Sequence, residues 1–126
     1  MKMIKVLVVP PSEKPYVKEI PHTLSALQEE VGGDIEVIYP FADPVGLICN
    51  ESGKLLHLPL NRALRDDSGE IYDIIAGTFL VVGLGEEDFV SLGEDMIKKY
   101  AALYGKAEMF IRVDGRICDV PEVSEK

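Results

Sequence analysis

Seven side chains capable of polar chemistry crowd one short stretch, "NRALRDDSGEIYD": Asn61, Arg62, Arg65, Asp66, Asp67, Glu70 and Asp73. An arginine there could grip a carboxylate or a phosphate through two parallel N–H bonds, because the planar guanidinium fork matches the spacing of those oxygens. On that reading the stretch is a polar pocket, and Asn61, Arg62, Arg65 and Asp73 meet a ligand or partner. A plainer reading uses the same residues structurally, and it is preferred. Asn61, which follows "LPL", caps a short helix "RAL", residues 66–69 form a turn, and the arginines pair with nearby acids. Asp73 is the odd member, set between Tyr72 and Ile74 in an apolar run. It caps the turn "IIAG", or it is buried and needs a partner, for which Arg62 is the candidate.

Other candidate chemistry is thinner. "VVGLGEED" carries Gly83 and Gly85 after an apolar run, but the third glycine of a dinucleotide fingerprint falls on Asp88. Three successive acids there would also repel a phosphate, and they suit the positive end of the helix that follows. His22 and His57 stand alone, with no HxH or HxxxH spacing, so no metal site is expected. A nucleophilic Cys49 or Cys118 would require a histidine base close by. Cys49 and His57 flank the turn "NESGK" and could face each other across a hairpin. Asp66 and Asp67 are adjacent, which in extended chain points them apart rather than at one bond.

The bulk numbers narrow the class of protein. The chain has 126 residues, 47% hydrophobic and 28% charged, the profile of one ordinary globular domain. A chain of this length buries roughly two thirds of its unfolded surface, so one core forms without staples. Acids outnumber bases 22 to 13, for a formal charge of −9. Phosphate backbones and anionic membranes favour basic patches, so neither is an expected partner. Both cysteines lie in apolar, strand-like contexts, where a thiol acts as a small buried hydrophobe. A disulfide between them would be unusual without a secretory signal. "MKMIKVLVVPP" reads as a first strand rather than a signal peptide, and no run reaches the ~20 apolar residues of a membrane helix. The cytoplasm is the expected compartment.

The elements that must position these residues follow from pattern. Residues 3–9 form a buried strand and "YVKEI" a half-exposed one. In "HTLSALQEEVGG", Leu24, Leu27 and Val31 share a helical face, Thr23 caps the start, and Gly32 or Gly33 ends the helix. "DIEVIYPF" and "VGLICN" are strands. "NESGK", "DDSGE" and "VDGR" are turns, and three such signals favour hairpins over parallel crossovers. "TFLVVGL" is nearly continuous in apolarity and belongs at the centre of a sheet. In "SLGEDMIKKYAALYG", Ser91 and Glu94 have capping-box spacing. There Met96, Ile97, Tyr100, Leu103 and Tyr104 make an apolar face, and Gly105 ends the helix. "AEMFIRV" and "RICDV" form a closing hairpin, and "PEVSEK" is a loose tail.

Four of these segments carry a resemblance. "KVLVVPPSEKPYVKEI", "TLSALQEEVGGDIEVIYPF", "DPVGLICNESGKLLHLPLNRAL" and "GEIYDIIAGTFLVVGLGEEDF" together resemble the bacterial and phage domain of unknown function 3846, over residues 4–104. "NRAL" followed by "IYDIIAGTF" is the most specific part. One departure is His57 in "LLHLPL", where the resemblance leads one to expect a small residue such as glycine. The resemblance implies a setting in phage, plasmids or integrative conjugative elements of Gram-positive bacteria. It implies no activity and no catalytic residue.

The expectation is therefore an α+β fold: a mostly antiparallel, twisted sheet with two main helices packed on one face, spanning residues 1–120, with a loose tail at 121–126. The expected function is that of a small cytoplasmic accessory protein of a phage or integrative conjugative element. It acts non-catalytically by binding another protein, without cofactor, metal, nucleic acid or membrane. Two alternatives remain: an acidic DNA mimic of anti-restriction type, which requires acids at phosphate-like spacing, and a small hydrolase using residues 61–73, which requires a pocket holding Arg62 and Asp73.

Overall fold

The computed structural model of the protein describes residues 2–113 and 116–120. The chain runs β1 (Met3–Val9), β2 (Tyr16–Pro21), α1 (Leu24–Val31), β3 (Ile35–Ile38), β4 (Val45–Asn50), β5 (Leu60–Arg65), β6 (Ile71–Ala76), β7 (Phe79–Leu84), β8 (Phe89–Val90), α2 (Glu94–Leu103), β9 (Met109–Val113) and β10 (Arg116–Val120). The main sheet has the order β2-β1-β7-β4-β3, with β8 added to β7, and every pairing in it is antiparallel. β5–β6 and β9–β10 are separate antiparallel hairpins. The expected turn at residues 114–115 and the expected tail at 121–126 lie outside the described residues.

β7 holds the centre because nearly all its side chains are apolar and both faces are covered. Phe79 and Val81 point into one core with Leu7, Val9, Val45 and Leu47. Leu80 and Val82 point into the other with Ile4, Val6, Val8 and Ile48. Burying one such side chain contributes about 1.5–3 kcal/mol, so this alternation decides which strand is central.

The mostly antiparallel α+β class with two helices is as expected, but the helices are not on one face. α1 inserts Leu27 and Val31 into the second core, whereas α2 lays Tyr100 and Tyr104 on the first, beside Leu64 and Ile75 of the β5–β6 hairpin. The sheet is apolar on both sides along β1, β4 and β7, so a single helical layer would leave one face wet.

α1 starts as expected. The Thr23 hydroxyl accepts from the Ala26 N–H at 3.1 Å, and Gly32 ends the helix at φ 80°. Leu24, however, is exposed at the first helical position, ahead of the face that packs. α2 departs from its expected capping box. Ser91 accepts from the Lys5 N–H at 2.9 Å, tying the chain to β1, and Gly93 takes the N-cap position without a side-chain bond. Leu103 is exposed rather than on the buried face, and the C-cap falls on Tyr104, one residue before Gly105. Tyr100 donates to Asp43 at 2.7 Å, and Lys99 pairs with the same carboxylate. Those two hydrogen bonds, Lys99 first, hold the Asp43 carboxyl below its ordinary pKa.

Candidate functional site

The stretch around Asn61 is a strand, not a capped helix. β5 pairs with β6, and its "RAL" residues lie opposite Ile75, Ile74 and Asp73. The turn between the strands is the expected one. The Asp66 carboxylate accepts from the N–H groups of Ser68 and Glu70 at 2.9 and 3.0 Å, and Gly69 sits at φ 85°.

Asn61 and Arg62 are wholly buried, each 0% exposed. Asn61 donates to the carbonyls of Val9 and Gly77 at 2.8 and 2.9 Å. Its own oxygen accepts from Arg62 Nη1 at 2.7 Å. Arg62 donates further to the Tyr104 carbonyl through Nε and Nη2, at 3.3 and 2.8 Å, to Glu13 O at 2.8 Å and to Pro10 O at 3.4 Å. These carbonyls belong to the end of β1, the loop after it, and the end of α2. The pair therefore bolts the hairpin to these parts of the chain. Burial pulls the Arg62 pKa below its ordinary value, and the field of Glu108 partly offsets this.

Arg65 and Asp73 lie at the surface, and the structure does not bring them to Arg62. Arg65 pairs with Glu108 at 3.2 Å and reaches the Gly69 carbonyl at 3.4 Å. Asp73 is half exposed and pairs with Lys54, not with Arg62. Its Oδ1 also accepts from the Ile74 N–H at 2.8 Å. Rather than capping a turn, Asp73 caps an edge group of its own strand.

Two hollows meet at this ion pair. The smaller, about 150 Å³, lies among Glu36, Cys49, Glu51 and Ile75. The larger, about 570 Å³, is walled by His57, Leu58, Leu60, Ile71 and Tyr72. Lys54, Asp73 and Ile74 line both. Cys49 is buried and donates its S–H to the Glu36 carbonyl at 3.7 Å. Burial, then the fields of Glu36 and Asp73, push its pKa up to about 11 against the pull of Lys54, so it is a thiol at neutral pH. The side chain of Cys118 lies outside the described residues.

Several candidates resolve into packing. A Cβ at Gly83 would come within 2.6 Å of the Ser91 carbonyl, and one at Gly85 within 2.9 Å of Val90 Cγ1. These glycines let β8 close onto β7. His22 Nε2 stands 3.3 Å from Asp88. His57 occupies an exposed turn at φ 57°, not a strand, and the left-handed backbone there is why a glycine would suit the position. Among the described residues, no three or more His, Cys, Asp or Glu side chains are grouped to hold a metal ion. No described helix is long and apolar enough to cross a membrane.

Sequence reasoning missed the exposed apolar side chains about the two hollows, Tyr72 in the wall of the larger and Leu55 in that of the smaller, with Leu56 next to it in the chain. Leu55, Leu56 and Tyr72 are 83%, 57% and 57% exposed. The available signal was "LLHLPL", an apolar run directly after a turn, which read as strand. Lys54 and Glu108 were also missed, since their partners come from 19 and 43 positions away.

Fold and site together define a small α+β domain with an apolar groove flanking a hairpin bolted in place by a buried arginine. The chain belongs to the family described as Domain of unknown function (DUF3846), whose model matches residues 4–105. No curated protein and no solved structure matches it.

Proposed function

We propose that the chain is a non-catalytic accessory protein of a phage or integrative conjugative element, working in the cytoplasm by binding another protein at the groove beside β6. The observation that carries the reading is a concavity of about 570 Å³ walled by Leu58, Leu60, Ile71 and the exposed Tyr72, with the exposed Leu55 on the adjoining smaller hollow. Large apolar side chains clustered at a hollow favour association, whereas the same residues scattered singly would not. Arg65 and Asp73 supply polar contacts near this surface, and Asn61 and Arg62 hold the hairpin from within. The mobile-element setting rests on the family resemblance alone.

Site-directed photocrosslinking tests the binding reading. A benzophenone side chain at position 56 is expected to capture a defined protein from a host lysate, and the same group at exposed position 103 on α2 is not. Tyr72→Asp should abolish the capture while the circular dichroism spectrum is unchanged. Equal yields at 56 and 103, or no crosslink at 56, would defeat the reading.

A further inference from the structure

We infer that the outer edge of β6 receives an extended, lysine- or arginine-bearing segment of the partner as an added β-strand, an inference that rests on the protein-binding reading above. In an antiparallel pair, alternate residues turn their N–H groups away from each other. Ala63 and Ile74 are opposite one another, and both do this. The Ala63 N–H goes outward to Glu108 Oε2 at 3.2 Å, and the Ile74 N–H goes outward to Asp73 Oδ1 at 2.8 Å. β5 is the only strand paired with β6 among the described residues. Its outer edge is thus held not by a strand but by one carboxylate that occupies the place of an incoming carbonyl.

The edge is closed at one end and open at the other. At Ala76 the chain turns against Gly53, where a Cβ would stand 2.7 Å from the Ala76 carbonyl oxygen. Along Tyr72 and Ile74 it opens into the larger groove. A peptide laid there in extended form meets main-chain groups on one side and apolar walls at Leu58 and Tyr72. Charge selects the occupant. The groove's lysine is already paired with Asp73, and the exposed acids Glu36 and Glu51 line the adjoining smaller hollow along the same β6 edge. A basic side chain on the incoming strand takes the Asp73 carboxylate as it leaves the Ile74 N–H. A second copy of this chain, at net charge −9, is disfavoured by the same field. Until a partner arrives, Asp73 and Lys54 keep the edge from pairing indiscriminately.

The full chain, labelled with 15N, can be titrated with three acetylated, amidated hexapeptides: alternating lysine and valine, the same peptide N-methylated at its two central residues, and alternating glutamate and valine. The lysine peptide is expected to shift the amide resonances of Tyr72 and Ile74 saturably and to protect Ile74 from hydrogen exchange. The methylated peptide keeps the charge but loses main-chain donors, and should bind about tenfold more weakly, the loss of one or two hydrogen bonds. The glutamate peptide should leave both amides unmoved. An unmoved Ile74 amide with the lysine peptide, or equal binding of the methylated one, overturns strand addition. The crosslink at position 56 would survive either result, so the two readings fail separately.

Discussion

Arg62 carries a full charge to a place with no exposed surface, and no carboxylate pairs with it among the described residues. What compensates is geometry: one planar fork reaches four oxygens from β1's loop, Asn61 and the end of α2. Lysine keeps the charge but is a point donor on a flexible stem and cannot span them. Arg62→Lys is therefore expected to cost about 3 kcal/mol or more, the scale for breaking a buried charged network. Urea denaturation followed by circular dichroism measures it, and a loss under about 0.5 kcal/mol, the ordinary scatter of surface changes, would refute the bolt. Cys49 makes the opposite case, a reactive side chain made inert. In a Cys118→Ser background, the folded protein at pH 8 should resist a thiol reagent that reacts at once in urea. Its folded pKa, about 11, lies above the ordinary 9.0. The thiol's contribution to stability is thus complete below pH 9 and is lost as pH rises through 11. Cys49→Ala should flatten that alkaline decline, and an unchanged slope between pH 9 and 11 would show that another group causes it.

At the scale of elements, the segment joining β4 to β5 decides where the hairpin sits. Gly53 is buried, and its backbone presses on Ala76. Gly53→Ala must push the turn off β6, at about 1–3 kcal/mol for an overpacked contact. Thermal melts should show the loss, along with movement of the Ile74 amide resonance. A melt within a degree of the parent would mean the turn floats free of β6. How far such elements could be read depended on whether one local mechanism settled them. β7 was legible because continuous apolarity has one solution, a covered central strand. The 66–69 turn and both ends of α1 were legible because Asp66, Thr23 and the glycines act on backbone within a few residues. β5 was misread because its two buried polar residues, Asn61 and Arg62, answer to carbonyls up to 52 positions away and so erase the strand's alternation. Ser91 misled for the same reason, since its hydroxyl serves Lys5 and not its own helix. The placing of the helices was a third miss. Each helix shows an apolar stripe, but a stripe does not say which face of a two-faced sheet it will cover.

For the molecule as a whole, the question is whether its charges help or hinder the fold. Among the described residues, geometry places ion pairs at Lys18–Glu30, Lys54–Asp73, Arg65–Glu108 and Lys99–Asp43. Each has an exposed or half-exposed partner, so each is worth no more than about 0.2–1 kcal/mol and weakens in salt. Against them stand the excess acids of a chain at −9, among them the exposed runs at 66–67, 86–88 and 94–95. Glu94 and Asp95 are partly offset by the positive end of α2. Self-repulsion of this kind opposes the compact state and is long-ranged, so dilute salt screens it first. The balance predicts that raising sodium chloride from about 20 to about 300 mM, which shortens the screening length several-fold, increases the melting temperature by a few degrees. Ion pairs would give the reverse slope, a temperature that falls with salt. A charge-reversal control separates screening from a generic salt effect: Glu86→Lys with Glu87→Lys should raise the low-salt melting temperature and shrink its dependence on salt. If those two substitutions leave the salt slope intact, the acidity is not what the fold is working against, and the surface pairs carry more of its stability than their exposure suggests.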